Sequence, residues 1–398
     1  MGGAAVMRSA TPKHHPIVVL TARFEPGYKA GGPIRAVADG LDSLAKDISC
    51  LVVTSDRDLG DDAPYEGLSG ALVERGRHEI LYVDTTRLPD WWRALLSVRR
   101  ARPEVLYLNS FWSPQFTMLP VLAVLLRALR PRKVILAPRG ELSPGALALK
   151  TGKKRLAFPI WSLALRLCRP TMQASSMSEA AMIRKSLPWI RENEIVYQHD
   201  RGPAPAAAVA EVTSNSRFVF VGRIARMKNV LLLIESLRHV EDSVSLDIFG
   251  PIEDRPYWDE CLAAIATLPE HVSVTYRGLL GPDLVQTTFA QYDGFLLPTR
   301  GENFCHAIAE SLSVGCPTLC SDRTPWSDVL RAGGGEVVTD LDPHAWSAAI
   351  TRWNRRSPSE RQVARNQCLR AYVSWRQSVP SAPAVEVELK RCRQQRRP

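Results

Sequence analysis

The chain has 398 residues and eight cysteines, but it contains no C-x-x-C pair and no zinc-ligand spacing. Several of the cysteines (50, 168, 261, 305, 316, 320, 368, 392) lie in apolar runs. This predicts reduced, buried thiols in a cytoplasmic protein and argues against a disulfide scaffold. The first residues hold no apolar core long enough for a signal peptide. No run reaches the ~18–20 apolar residues that span a bilayer. The nearest, Leu119 to Leu129, contains Arg127 and reads as a buried helix. Internal repeats are absent. So are an aromatic-interleaved platform for single strands and a helix-turn-helix pattern, which argues against nucleic acid as partner. Acidic residues are scarce between 91 and 170, with two against 15 basic ones.

That scarcity is half of an asymmetry. Residues 1–200 hold 28 Lys and Arg against 19 Asp and Glu, and the remainder holds 23 against 22. A basic half beside a neutral half suggests that the first meets an anionic partner. Nucleic acid, anionic lipid and a phosphorylated acceptor all qualify. The stretch W-W-R-A-L-L-S-V-R-R-A-R is basic and amphipathic, and suggests peripheral contact with an anionic membrane at its inner face.

The length calls for two domains, and 45% hydrophobic residues suffice for two cores. Short apolar runs alternate with helical patterns in both halves. Ile17–Leu20, Ile48–Val53, Val105–Leu108, Val134–Ala137 and Thr171–Ala174 read as buried parallel strands of the first. Residues 201–215 are Pro/Ala-rich without a periodic face and read as a linker. Alternation then restarts at Phe218–Val221. The pattern predicts an α/β chain with two Rossmann-like doubly wound domains, 1–200 and 216–376. Residues 377–398 read as a tail, frayed from Lys390.

The most informative stretch is R-G-E-N-F-C-H-A-I-A-E-S-L-S-V-G-C-P. Glu302 and Glu310 are eight residues apart, close to two and a quarter helical turns, so both point toward one region. The helix around Glu310 is apolar, and a buried carboxylate there calls for a ligand or a partner. About 80 residues earlier, F-V-F-V ends in G-R-I-A-R-M-K. Arg223 leaves the strand just after Gly222, and Lys228 stands at a helix start. Two cations at the carboxyl edge of a parallel sheet suit a diphosphate.

The order G-R-I-A-R-M-K, D-I-F-G-P, V-T-Y-R-G and G-E-N-F-C-H-A-I-A-E-S-L-S-V-G-C-P resembles the retaining glycosyltransferases of family 4, of the group 1 type. The resemblance is dense over 216–340 and looser before it. It implies the GT-B fold, two Rossmann-like domains facing a cleft, and transfer of a hexosyl unit from a nucleoside diphosphate sugar without cofactor or metal. Arg223 and Lys228 would hold the diphosphate and Glu302 the donor sugar. The backbone at Asn303, Phe304, Cys305 and His306 would hold phosphate or sugar, and Glu310 the ribose. The segment with Arg277, Gly278 and Leu279 would flank the base. The acceptor would be a glycan, lipid-linked or small.

The first half adds F-E-P-G-Y-K-A-G-G-P-I-R after its first strand. Gly31 and Gly32 let backbone approach a phosphate, and the resemblance sets this loop against the donor. In A-P-R-G-E, Arg139 stands where many relatives carry a contacting His. This adds a permanent cation, which Glu141 is placed to balance, and makes Arg139 a further catalytic candidate. K-T-G-K-K-R, at 150–155, suits an acceptor phosphate. The D-x-D of Asp56 and Asp58 follows the second strand and reads as an acceptor-side loop rather than a metal site. Two other activities fit part of the pattern. One is a nucleotide-sugar epimerase on the same fold, and the other is nucleic-acid binding by the basic region.

Overall fold

Runs of β-branched and apolar residues become the central strands of two sheets, each in its own unit. The structure, a computed structural model, describes residues 6–7, 13–143, 151–198, 200–211, 216–380 and 382–395; for 6–7 and 151–156 it describes the backbone alone. One unit comprises Met1–Asp200 with Pro380–Pro398, and the other Arg201–Val379.

The first sheet has strands β1 (Val6–Met7), β2 (Ile17–Leu20), β3 (Cys50–Ser55), β4 (Leu72–Arg75), β5 (His78–Val83), β6 (Val105–Leu108), β7 (Lys133–Leu136), β8 (Thr171–Ala174) and β9 (Ile195–Tyr197). Their spatial order is β1-β4-β5-β3-β2-β6-β7-β8-β9. From β5 to β9 the pairing is parallel; β4 runs antiparallel to β5 and to β1. The strand order reverses between β2 and β6. Both faces are covered, so β2 is apolar at every position. Val18 and Leu20 join one core with α2 (Leu88–Ala101), α3 (Leu119–Leu125), α4 (Thr151–Cys168) and α5 (Met177–Ser186). Ile17 and Val19 join the other core, with α1 (Gly32–Asp42).

The second sheet is parallel throughout. It contains β10 (Arg217–Val221), β11 (Val244–Phe249), β12 (Val272–Gly278), β13 (Gly294–Leu297), β14 (Thr318–Ser321) and β15 (Gly335–Val338). Its order is β12-β11-β10-β13-β14-β15, the 3-2-1-4-5-6 arrangement of a dinucleotide-binding sheet. Around it lie α6 (Val230–Leu237), α7 (Arg255–Ile265), α8 (Val285–Phe289), α9 (His306–Ser313), α10 (Pro343–Asn354) and α11 (Pro358–Ser378).

Three segments differ from the sequence reading. The β4–β5 hairpin is absent from that reading because polar residues interrupt its alternation. Glu74 and Glu79 face each other across it, and Lys13 meets both carboxylates. The stretch expected as a linker lies along the second unit as far as it is described: Ala206 N donates to Ser313 O (2.8 Å), and the Tyr372 hydroxyl to Pro203 O (2.7 Å). The tail expected to fray is a helix, α12 (Ala384–Gln394), packed on the first sheet. Val385 and Leu389 enter the core beside α1, and Glu386 accepts from Ala45 N (3.0 Å). Its charges hide an apolar stripe of only a few residues. Among the described residues no helix is long and apolar enough to cross a membrane.

Candidate functional site

In an open parallel sheet, ligands bind outside the carboxyl ends of the strands where the order reverses. In the second sheet that point lies between β10 and β13. The loop after β10 carries Gly222, Arg223 and Lys228. The loop after β13 carries Thr299, Gly301 and Glu302. The two are stitched together by Arg300 N, which donates to Met227 O (2.8 Å).

Lys228 and Glu302 meet across this junction. The Lys228 Nζ lies 2.6 Å from Glu302 Oε1, and both side chains are largely buried. The Thr299 hydroxyl donates to the same oxygen (2.8 Å). Burial alone would pull the Lys228 pKa down. The Glu302 carboxylate outweighs it, and the net shift is upward. Lys228 is therefore an ammonium throughout the neutral range. Cys305 is close enough to feel both charges. Burial first, and the Glu302 charge second, push its thiol up to about 12, so it stays protonated.

The loop that carries Glu302 is pinned from behind. The Trp326 indole N–H donates to Phe304 O, and Phe304 and Trp375 both pack at a tilt against the Trp326 ring. His306 lies edge-on to Phe304 and opens α9. Cys305 precedes it with φ +67°, a left-handed conformation that a non-glycine residue adopts at a cost. Glu310 is buried within α9.

Gly222 and Gly278 meet at the carboxyl edge through a third glycine. Gly222 N donates to Phe249 O (3.0 Å), and Gly250 N to Gly278 O (2.8 Å). A Cβ on Gly250 would stand 1.9 Å from the Gly222 carbonyl oxygen, so no side chain fits there. Gly250, read in the sequence only as part of D-I-F-G-P, and Thr299 were not among the expected site residues. Each directly follows the end of an apolar strand, or lies within two residues of it, which is the signal that marked Gly222.

Other expected residues lie apart from this cluster. Arg223 is half-exposed and pairs with Glu253. Arg277 is drawn to Asp247 (2.9 Å), which also accepts from the Tyr292 hydroxyl (2.7 Å). Leu279 is exposed beyond Gly278.

The first unit holds the remaining candidates. Gly31 has φ +68° and Gly32 begins α1. The loop before them is ordered by Asp58, whose Oδ2 accepts from Tyr28 N (2.8 Å) and Lys29 N (3.0 Å). Asp56 accepts from Arg57 and from the Ser69 hydroxyl. Arg139 is buried and forms a fan: Nε to Asn109 Oδ1 (2.8 Å), Nη2 to Tyr107 OH (2.8 Å) and Nη1 to Asp200 Oδ1 (3.3 Å). Asp200 therefore takes the balancing role expected of Glu141, which instead accepts from Phe111 N (2.6 Å) and Trp112 N (2.9 Å). The side chains of K-T-G-K-K-R lie outside the described residues.

The family model for glycosyl transferases group 1 matches residues 207–368. A D-inositol 3-phosphate glycosyltransferase of Xylanimonas cellulosilytica is 25% identical over 165 residues, covering 37% of this chain and 38% of the relative. A GDP-mannose-dependent alpha-mannosyltransferase of Corynebacterium glutamicum is 27% identical over 181 residues, covering 44% and 41%. The matches thus span about two fifths of each curated relative's length. The crystal structure of Anabaena HepE with UDP and glucose superposes with a TM-score of 0.70 at 13% identity, covering 96% of this chain and 100% of that one. Across its second unit the chain matches the group 1 glycosyl transferases, and its two Rossmann-like units have the GT-B fold.

Proposed function

We propose that the protein moves a hexosyl unit from a nucleoside diphosphate sugar to an acceptor hydroxyl with retention of anomeric configuration. The pathway we assign is assembly of surface polysaccharide, lipopolysaccharide or another glycoconjugate. The observation that carries this reading is the Lys228–Glu302 pair at the point where the second sheet reverses its strand order. A single carboxylate holds a cation there, beside backbone that only glycine can form.

In this reading the donor lies on the second unit. Its diphosphate takes Lys228, with Arg223 swinging from Glu253 to join it. Glu302, already within reach of a cation and a hydroxyl, accepts from the sugar hydroxyls, and Glu310 from the ribose. Cleavage of the glycosidic bond builds charge on the diphosphate. Lys228, Arg223 and the start of α9 stabilise that charge as preset electrostatics. The leaving phosphate takes the acceptor proton on the same face, so no side-chain base is required. Cys305 is no nucleophile in this scheme, because its thiol stays protonated. The names of the relatives support a nucleoside diphosphate hexose as donor, since one is GDP-mannose-dependent and HepE was crystallised with UDP and glucose.

Calorimetric titration with a panel of nucleotide sugars tests the assignment. Wild-type protein binds one of them, and Lys228→Ala and Glu310→Gln weaken that binding. Full affinity and full transfer in both variants would overturn it.

A further inference from the structure

The first unit carries an apolar surface that its own fold leaves open. On α2, Trp91, Ala94 and Val98 face the core, whereas Leu88, Trp92 and Leu96 are exposed. On α3, Val121 and Ala123 are buried, whereas Leu119, Leu122 and the following Leu126 are exposed. On α4, Trp161 and Leu165 are buried, whereas Ile160, Leu163 and Leu167 are exposed. Each outer set repeats at three or four residues, so each is a stripe along its helix.

The three stripes lie side by side. All three helices cover the same face of the sheet through one core. Trp91 of α2 meets Phe116 edge-to-face at 5.3 Å, and Phe116 sits in the π-type turn Pro114–Met118 that runs into α3. Helix α3 packs against α4. Scattered exposed leucines are ordinary; nine large apolar side chains on three adjacent helices are not. Trp92 is 63% exposed, Leu126 71% and Ile160 75%.

Charge identifies what covers them. Arg99 and Arg100 end α2, Arg127 follows α3, and Arg166 is on the last turn of α4. None of these four forms an ion pair among the described residues. Asp90, in the first turn of α2, pairs with Arg87 and Arg93, and two further acids lie between 91 and 170. Glu104 is engaged by Arg393, and Glu141 by the backbone of Phe111 and Trp112. An apolar face with a basic rim and no free acid is complementary to an anionic bilayer surface and is a poor match for a basic or a wholly apolar protein partner.

We propose that the outer face of α2, α3 and α4 docks the protein on an anionic lipid bilayer, with leucines and Trp92 entering the headgroup boundary and arginines on the phosphates. This goes beyond the amphipathic stretch of α2, which supplies one stripe of the three. It stands independently of the glycosyl-transfer reading and survives if that reading fails.

The test is co-sedimentation of the full chain with vesicles of phosphatidylcholine alone or mixed with phosphatidylglycerol. Binding to the mixed vesicles is expected, falling steeply with added salt, with little binding to neutral ones. Leu126→Glu combined with Leu163→Glu lowers the partition coefficient at least about tenfold. Arg99→Gln and Arg100→Gln each lower it about fivefold. All these positions are exposed, so thermal melts of the variants should match the wild type. Failure to bind mixed vesicles overturns the proposal, as does undiminished binding by the leucine variant. A wild-type dimer in light scattering that the leucine variant converts to monomer also overturns it, because the face would then belong to a second copy.

Discussion

Each unit has a buried cation tied to the point where its strand order reverses, and the two are held in different ways. In the first unit Arg139 spreads its guanidinium over Asn109, Tyr107 and Asp200. Asn109 in turn donates to Thr21 Oγ1 (3.1 Å), so this fan bridges the ends of β2 and β6. In the second unit Lys228 is a point charge on one carboxylate oxygen, beside a glycine-lined edge. We expect a planar fork with several fixed partners to act as scaffold. In the proposed reading, an ammonium with one partner, on a carboxylate shared with a hydroxyl, exchanges partners when the donor diphosphate arrives. The same topology thus holds a cation on three partners in one unit and a cation on one carboxylate in the other.

Arg139→Ala gives the largest effect on stability. It leaves Asp200 buried without its cation, at a cost of about 3–5 kcal/mol, read as a lower urea midpoint. Arg139→Lys recovers only part, lacking the fork. An unchanged midpoint would break the comparison.

Lys228→Ala acts on function instead. We expect kcat/KM for sugar transfer to fall about 10²- to 10³-fold. Its partner Glu302 lies at the carboxyl edge of the sheet, where we propose the donor binds, so the urea midpoint should shift less than for Arg139→Ala. A larger shift would mean that the second pair is scaffold too.

Acidification separates the units again. His78 in the first unit accepts from Cys50 N at Nδ1 (3.2 Å), a role open only to the unprotonated nitrogen. Burial, and then the charges of Arg77 and Arg75, lower its pKa from 6.5 to about 4. The unfolded chain then binds the proton more readily, so stability falls as pH drops from 6.5 toward 4 and levels off below. The loss is on the order of 3 kcal/mol and should disappear in His78→Gln, measured by urea titration across that range.

Arg223→Ala is the smallest change. Its exposed pair with Glu253 contributes under about 1 kcal/mol, so melting should barely move. Nucleoside diphosphate affinity should fall about five- to tenfold, because a forked contact is lost. Calorimetry that finds no loss would leave Lys228 as the only diphosphate cation of the pair.

Most of this architecture was legible in the chain. Buried parallel strands are continuous apolar runs, and β2, β6 and β8 match their expected bounds residue for residue. The hairpin β4–β5 was hidden because edge strands carry charge, and α12 because its apolar stripe is short. Within the site, Lys228 and Glu302 were legible as residue types at strand ends. Their mutual ion pair was not, since it depends on β10 and β13 becoming neighbours across 74 residues. The direction of a long cation is equally invisible in sequence. Arg277, expected to flank the base, donates to Asp247.

The return of α12 to the first sheet sets an order of events during synthesis. Strand β2, helix α1 and the rest of that core leave the ribosome early, but Val385 and Leu389 arrive only after the whole second unit has been made. Until then the apolar surface beside α1 has no lid, and the early-made unit waits, half-finished, for the last helix of the described chain. A nascent chain stalled before residue 380 should therefore remain protease-sensitive in its first two hundred residues, even though every strand of the first sheet has already emerged.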